Sequence, residues 1–146
     1  MILISHRGNI TGKTKHENHP DYILKALKLG YDVEIDVWNI AGDFYLGHDN
    51  PQYLVKKEFL KTQGLWCHAK NPMSLVEMAK NPWIHYFWHE EDQYTLTSRG
   101  KIWIYPDKKP LEDGILVLQE EQLPPDNIRL AGVCSDFVSI FRKLKK

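Results

Sequence analysis

Three acids alternate with apolar residues in the run Asp32-Val33-Glu34-Ile35-Asp36-Val37. Successive side chains of a strand point to opposite faces, so the acids share one face and the valines and isoleucine the other. Parallel strands are ordinarily buried on both faces. Two carboxylates about 6 to 7 Å apart along a buried face need protons, hydrogen-bond donors or a cation. A divalent metal is the simplest partner, because hard cations take carboxylate oxygens. Further polar residues fall at the ends of other strand-like runs: His6-Arg7-Gly8 after the first, His68 and Lys70 alternating out of the third, Glu120 after the sixth, and Asp136 in the last. Gly47-His48-Asp49-Asn50-Pro51 follows the short extended piece Asp43-Phe44-Tyr45-Leu46, which begins at a Gly42 turn. Such a hairpin excursion would carry His48 back over the same rim, facing His6. Two imidazoles on opposite sides of a bound phosphodiester can remove one proton and supply another. Singly, each feature has a plainer reading: solvated acids on an edge strand, a packing histidine, a turn capped by Asp49. Their coincidence at several strand ends points to a site.

Seven short apolar runs bounded by turn signals predict the strands that would position these groups: Ile2 to Ser5, Asp32 to Trp38, Leu65 to Ala69, Ile84 to Trp88, Lys101 to Tyr105, Ile115 to Leu118 and Gly132 to Phe137. Helical spacing appears at Asp21 to Leu29, Gln52 to Lys61 and Pro72 to Lys80. The early βαβα order implies parallel pairing. A single domain over residues 1–146 suits the length of 146 residues. A full eight-fold barrel takes about 250 residues, and the segments Asp107 to Gly114 and Gln119 to Leu130 are too broken for crossover helices. The expected α/β architecture is therefore a reduced TIM-type (β/α) barrel, closed or nearly so, with loops in place of several outer helices. No Gly-rich phosphate loop follows the first strand, which counts against an open doubly wound dinucleotide fold.

These motifs resemble those of the glycerophosphodiester phosphodiesterases and the wider phospholipase-C-like phosphodiesterase superfamily, whose signature runs His-Arg-Gly, Glu-Asn, Glu-x-Asp and His-Asp. The corresponding residues are His6-Arg7-Gly8, Glu17-Asn18, Glu34-Ile35-Asp36 and His48-Asp49, in family order over about the first 50 residues. Gly132 to Phe137 is similar to the family's last strand. The resemblance implies a TIM barrel and hydrolysis of a small phosphodiester. His6 and His48 would be its acid/base pair, Arg7 and Lys70 its phosphate ligands, and Glu34 and Asp36 ligands of one divalent cation, Mg2+ or Ca2+, with Mn2+ as the alternative. It also implies a related chemistry, a lyase in which the substrate's own hydroxyl attacks and leaves a cyclic phosphate. Where the family carries Glu-x-Lys on its third strand, this chain has His68-Ala69-Lys70. The third carboxylate is thus lost from that place. The oxygen preference of a hard cation favours Glu120 as third ligand with His68 lining the site, whereas ligation by His68 would tilt the site toward Mn2+ or Zn2+. A catalytically silent barrel that binds a phosphorylated metabolite is the reading outside enzymology.

Composition narrows the partners. Lys+Arg and Asp+Glu both number 19, which excludes a generally basic, nucleic-acid-binding surface. No apolar run approaches the roughly 20 residues of a membrane span, and Met1 leads directly into the first strand run, so a soluble cytoplasmic protein without membrane insertion is expected. Cys67 and Cys134 sit inside apolar runs and read as buried thiols. The mid-chain aromatics, among them Trp88, Trp103 and Tyr105, read first as core and second as a wall for an organic head group. His85 and His89 read as packing or capping residues.

Overall fold

The computed structural model describes residues 1–145. Its ten strands are β1 (Ile2–His6), β2 (Asp32–Ile40), β3 (Asp43–Leu46), β4 (Tyr53–Val55), β5 (Leu65–Ala69), β6 (Tyr86–Trp88), β7 (Tyr94–Leu96), β8 (Ile102–Ile104), β9 (Ile115–Leu118) and β10 (Gly132–Ser135). The helices are α1 (Pro20–Lys28), α2 (Lys57–Leu60), α3 (Pro72–Ala79) and a closing 3-10 helix, Val138–Lys145. Every one of the seven expected strands forms, β1 and β2 a residue or two longer than expected and β6, β8 and β10 two residues shorter. The basic run Arg142-Lys143-Leu144-Lys145-Lys146 reads in the sequence as a fraying helix end, and its last residue, Lys146, lies outside the described residues.

Seven strands make one parallel ladder in the order β6-β5-β2-β1-β10-β9-β8. β7 adds antiparallel to β8, and β3 and β4 form an antiparallel ribbon on the projecting end of β2. The reduced TIM-type barrel is overturned. The sheet is mixed, ten-stranded and not closed, and the four short helices hold only about 19% of the chain. The reason lies after β6, where a barrel needs a crossover helix. Residues 94 to 96 instead fold back as a hairpin with β8, and this segment meets β6 through isolated bonds, among them Ser98 N–H to Tyr86 O at 2.8 Å and Thr95 Oγ1–H to Trp88 O at 2.8 Å. A second correction concerns Gln52 to Lys61. Tyr53–Val55 pairs with β3 and only Lys57–Leu60 is helical, because strand pairing and the burial of Leu60 outweigh the local helical pattern.

The helices are set by their ends. Pro20 and Pro72 occupy first-turn positions, where the missing N–H costs nothing. His19 Nδ1 caps Asp21 N–H at 3.1 Å and the Asn71 side chain caps Ser74 N–H at 3.1 Å. All three α-helices precede β6, and their buried residues Ile23, Leu60 and Met78 pack in one cluster with Val33, Ile35 and Val37 of β2. That cluster occupies the apolar face of the alternating run. On the acidic face lies a second cluster, in which Ile4, Trp66, Phe87, Trp103, Ile115 and Cys134 pack together. Each fully buried side chain of this size contributes about 1.5–3 kcal/mol. Both cysteines are buried and free, as expected. No helix among the described residues is long and apolar enough to cross a membrane.

Candidate functional site

The carboxyl ends of the parallel strands open into one cavity of about 900 Å³, lined among others by His6, Arg7, Glu34, His48, His68 and Lys70. Ligands of open α/β sheets bind at these strand ends. Asp36 sits directly behind this wall, 1% exposed.

The register brings the polar face together. β1 places His6 beside Glu34 of β2, and β5 places His68 beside Asp36. Asp32, the first of the three acids, takes the Trp66 indole N–H at 2.9 Å. Immediately after β1 the chain turns through two left-handed residues, Arg7 at φ 55° and Gly8 at φ 93°. A Cβ at Gly8 would come within 2.6 Å of the Tyr22 ring, so that position requires glycine. The left-handed conformation at Arg7 is strained for a residue with a Cβ, and such strain concentrates at functional sites. Arg7 Nε lies 2.9 Å from Asp36 Oδ2, a close charge pair without hydrogen-bond alignment. Its terminal nitrogens reach Glu17 Oε2 at 3.2 Å and His48 Nε2 at 3.4 Å.

His48 arrives on the β3–β4 side as expected. Gly47 closes the turn, where any Cβ would fall 2.1 Å from Asn50 O. Its N–H donates to Asp36 O at 3.2 Å and its carbonyl accepts the Trp38 indole N–H at 2.6 Å. His48 Nδ1 thereby comes to 3.5 Å from Asp36 Oδ2. Across the site, His6 Nδ1 bonds Asp136 Oδ1 at 2.8 Å and His6 Nε2 stands 3.7 Å from Glu34 Oε2.

Glu34, Asp36 and His68 each present a ligand atom within 4.8 Å of the others. His68 Nδ1 is 3.2 Å from Asp36 Oδ1 and 3.6 Å from Glu34 Oε1. Glu34 Oε2 is buried and has no hydrogen-bond partner among the described residues. An orphaned carboxylate oxygen is costly, and it is what a cation-binding site leaves when only protein groups are counted. Asp36 is better held: Asn18 Nδ2–H donates to Oδ2 at 2.9 Å, and Asn18 Oδ1 accepts the Asp36 backbone N–H at 2.9 Å.

Protonation follows this charge pattern. Burial opposes charge on Asp36, yet His48, His68 and Arg7 hold its carboxyl well below the usual range. Burial likewise disfavours imidazolium at His68, but bonding to Asp36 and Glu34 pushes it up to about 9. At His6 burial is again outweighed, by Asp136 and Glu34, and its pKa rises.

Of the expected third ligands, His68 joins Glu34 and Asp36, while Glu120 stands exposed on the cavity lip at φ 51°, outside that group. Lys70 lines the cavity, with its backbone N–H bonded to Val37 O at 2.8 Å. Sequence reasoning missed Asn9. Fully buried, it accepts from Tyr22 Oη–H at 3.2 Å and donates from Nδ2 to Glu17 Oε1 and Asp136 Oδ1, both at 2.8 Å. Its only signal was its place directly after His6-Arg7-Gly8. His89 was read as packing or capping, yet it lines the cavity and its carbonyl accepts from His68 Nε2 at 2.8 Å.

Comparison with protein-family models, with curated proteins and with solved structures found no match.

Proposed function

We propose that this chain is a metal-dependent phosphodiesterase acting on a small, glycerophosphodiester-like phosphodiester. One observation carries the reading: two imidazoles from separate elements approach one buried carboxylate pair, His6 at Glu34 and His48 at Asp36, with Arg7 beside both. Glu34, Asp36 and a third group beside them would hold the cation, and the partnerless Glu34 Oε2 fits that role. Bound there, a divalent ion would polarise a phosphoryl oxygen and lower the pKa of an attacking water or hydroxyl.

The protein groups divide the remaining work. Each terminal nitrogen of Arg7 carries two N–H bonds, so contacts to Glu17 and His48 leave donors for a phosphate from a planar, pre-aligned fork. Lys70 adds a point charge from the next strand end. Asp136 accepts from His6 Nδ1–H, which leaves His6 Nε2 for proton transfer and fixes the ring. Arg7 donates to His48 Nε2, which places the His48 proton on Nδ1, toward Asp36; a phosphate that takes up the Arg7 fork would release Nε2 to exchange a proton with the diester. One imidazole removes the nucleophile's proton while the other protonates the leaving alkoxide. The apolar side of the cavity, with Trp103 and Val117, takes the organic part of the diester.

Purified protein is assayed on bis-nitrophenyl phosphate and a panel of glycerophosphodiesters, with and without chelator. Chelation abolishes turnover, and His6→Ala or His48→Ala lowers it about a hundredfold or more. Equal rates for the wild type and both variants overturn the proposal. Product analysis separates a phosphomonoester, from hydrolysis, from a cyclic phosphate, from attack by the substrate's own hydroxyl.

A further inference from the structure

We infer that His68 is the third protein ligand, through Nδ1, and that it makes this a nitrogen-containing centre selective for a transition ion of the Mn2+ to Zn2+ kind over Mg2+ or Ca2+. The inference deepens the metal-dependent reading above and rests on its cation.

The tautomer is fixed by partners. His68 Nε2 lies 2.8 Å from the carbonyl oxygen of His89, a group that can only accept, so Nε2 carries a proton. Nδ1 of the same ring faces Asp36 Oδ1 at 3.2 Å and Glu34 Oε1 at 3.6 Å. A neutral ring in that tautomer would direct its Nδ1 lone pair at two carboxylates. A second ring proton or a cation must then lie among the three groups, and a cation would also serve the Glu34 carboxylate, whose Oε2 has no hydrogen-bond partner among the described residues. Donation of the second ring nitrogen to a backbone carbonyl is the usual support of a metal-ligating histidine, and it fixes ring orientation and raises ligand basicity.

The supporting carbonyl is itself held. His89 Nδ1 bonds Asp92 Oδ2 at 2.9 Å, and Asp92 Oδ1 accepts the Glu90 N–H at 2.9 Å. On the opposite side the His68 ring stacks on Phe87, with centroids 5.2 Å apart and planes 7° from parallel. The imidazole is thus clamped by Phe87 and the carbonyl while Nδ1 points at the carboxylate pair. Imidazole suits Mn2+, Co2+ and Zn2+, whereas Mg2+ and Ca2+ prefer an all-oxygen shell.

The test uses the full chain stripped of metal. Mn2+, Co2+, Mg2+ and Ca2+ are titrated separately by calorimetry, and the Co2+ form is read by visible absorption. The parallel variants are His68→Glu, which puts oxygen where nitrogen was, and Glu34→Gln, with circular dichroism to confirm folding. Most mixed nitrogen and oxygen sites prefer transition ions to Mg2+, so the change on substitution is decisive. The expected result is one saturable site, lost in Glu34→Gln, in which His68→Glu weakens Co2+ and Mn2+ about tenfold or more relative to Mg2+ and alters the Co2+ bands. Unchanged relative affinities and bands in His68→Glu overturn the inference, as does the absence of any saturable site, which would leave His68 an imidazolium paired with the two acids. Selective binding without diester turnover would remove the phosphodiesterase reading and leave this one standing. Mg2+-supported turnover unchanged in His68→Glu would do the reverse.

Discussion

The two walls of the cavity are built on different principles. On the wall formed by β1, β2 and β5, side chains are fixed by charge and hydrogen bonds: Asp36 alone meets Arg7, Asn18, His48 and His68. On the wall formed by β6, β8 and β9, position comes from apolar packing, with Phe87 and Trp103 at 4.8 Å between ring centroids. The helices divide the same way, since α1, α2 and α3 all precede β6. Chemistry needs groups held to a fraction of an ångström, and a hydrogen-bonded lattice backed by helices supplies that. A packed aromatic wall supplies shape, and its loops can differ without disturbing the reacting groups.

The largest effect that separates the walls is on stability. Trp103, 4% exposed, packs against Trp66 and Phe87, and Trp103→Ala lowers unfolding free energy by about 3–5 kcal/mol. His48→Ala removes one partner of the buried Asp36 but leaves Arg7, Asn18 and His68 in place, and with 42% of the His48 side chain exposed the loss stays at about 1 kcal/mol. Urea titration of both variants checks the pair. A larger loss in His48→Ala would mean that the polar wall also carries the fold.

The order reverses for activity. His6→Ala acts chiefly on kcat, by about a hundredfold or more, whereas Tyr105→Ala at the half-exposed end of the apolar wall raises KM and leaves kcat within about threefold. Steady-state kinetics on one diester decides it. A kcat collapse in Tyr105→Ala would show that the apolar wall takes part in the chemistry.

Most of the polar wall was legible in the sequence, and the reason is alternation. A strand fixes which residues share a face, so Glu34 with Asp36 and His68 with Lys70 follow from spacing alone. Sheet closure was not legible, because it depends on what the segment after β6 pairs with. Gln93-Tyr94-Thr95-Leu96-Thr97 does alternate polar with apolar, but the paired part is only Tyr94–Leu96, too short to stand out as a strand, and its hairpin with β8 is decided by tertiary contacts. Gln52 to Lys61 misled for a related reason: Tyr53-Leu54-Val55 suits a helix face or a strand, and β3 chose between them. Ion preference favoured Glu120 over His68, and ion preference says nothing about reach. The register that sets His68 beside Asp36 supplies the missing distance.

The walls are joined by the β5–β6 pairing and, just beyond it, by the loop from His89 to Asp92, where a smaller effect is expected. Asp92 holds His89 and Glu90 N–H at 2.9 Å each, while the His89 carbonyl holds His68. Asp92→Ala loosens that carbonyl without touching a metal-facing atom, and because Asp92 acts one step beyond the group that supports His68, metal affinity falls about three- to tenfold, below the roughly tenfold or more expected of a direct support. Calorimetry of the variant reads it. Unchanged affinity would mean that the apolar wall and its loops do not steady the polar one.

The effect that is smallest at neutral pH is a pH dependence that belongs to the apolar side alone. His85 lies beneath the aromatic cluster, 5% exposed, with its ring 4.2 Å from that of Trp66 and Nε2 2.7 Å from Thr97 Oγ1. Burial, then the nearby charges of Arg99 and Lys101, push its pKa down from 6.5 to about 4, the opposite direction from His6 and His68. Between those two values the unfolded chain binds a proton that the folded chain refuses, so stability rises with pH. Its contribution is complete above about 6.5 and is lost as pH falls toward 4. One proton changes the slope by at most about 1.4 kcal/mol per pH unit. His85→Gln keeps a polar side chain near Thr97 and removes the titration, so its urea midpoint should decline less steeply than the wild type's across that window. Carboxylates contribute to the acid limb of both proteins and cancel in the difference. Parallel curves would show that His85 stays neutral in both states or protonates freely in the fold, and the contrast in histidine environments between the two walls would then not extend to stability.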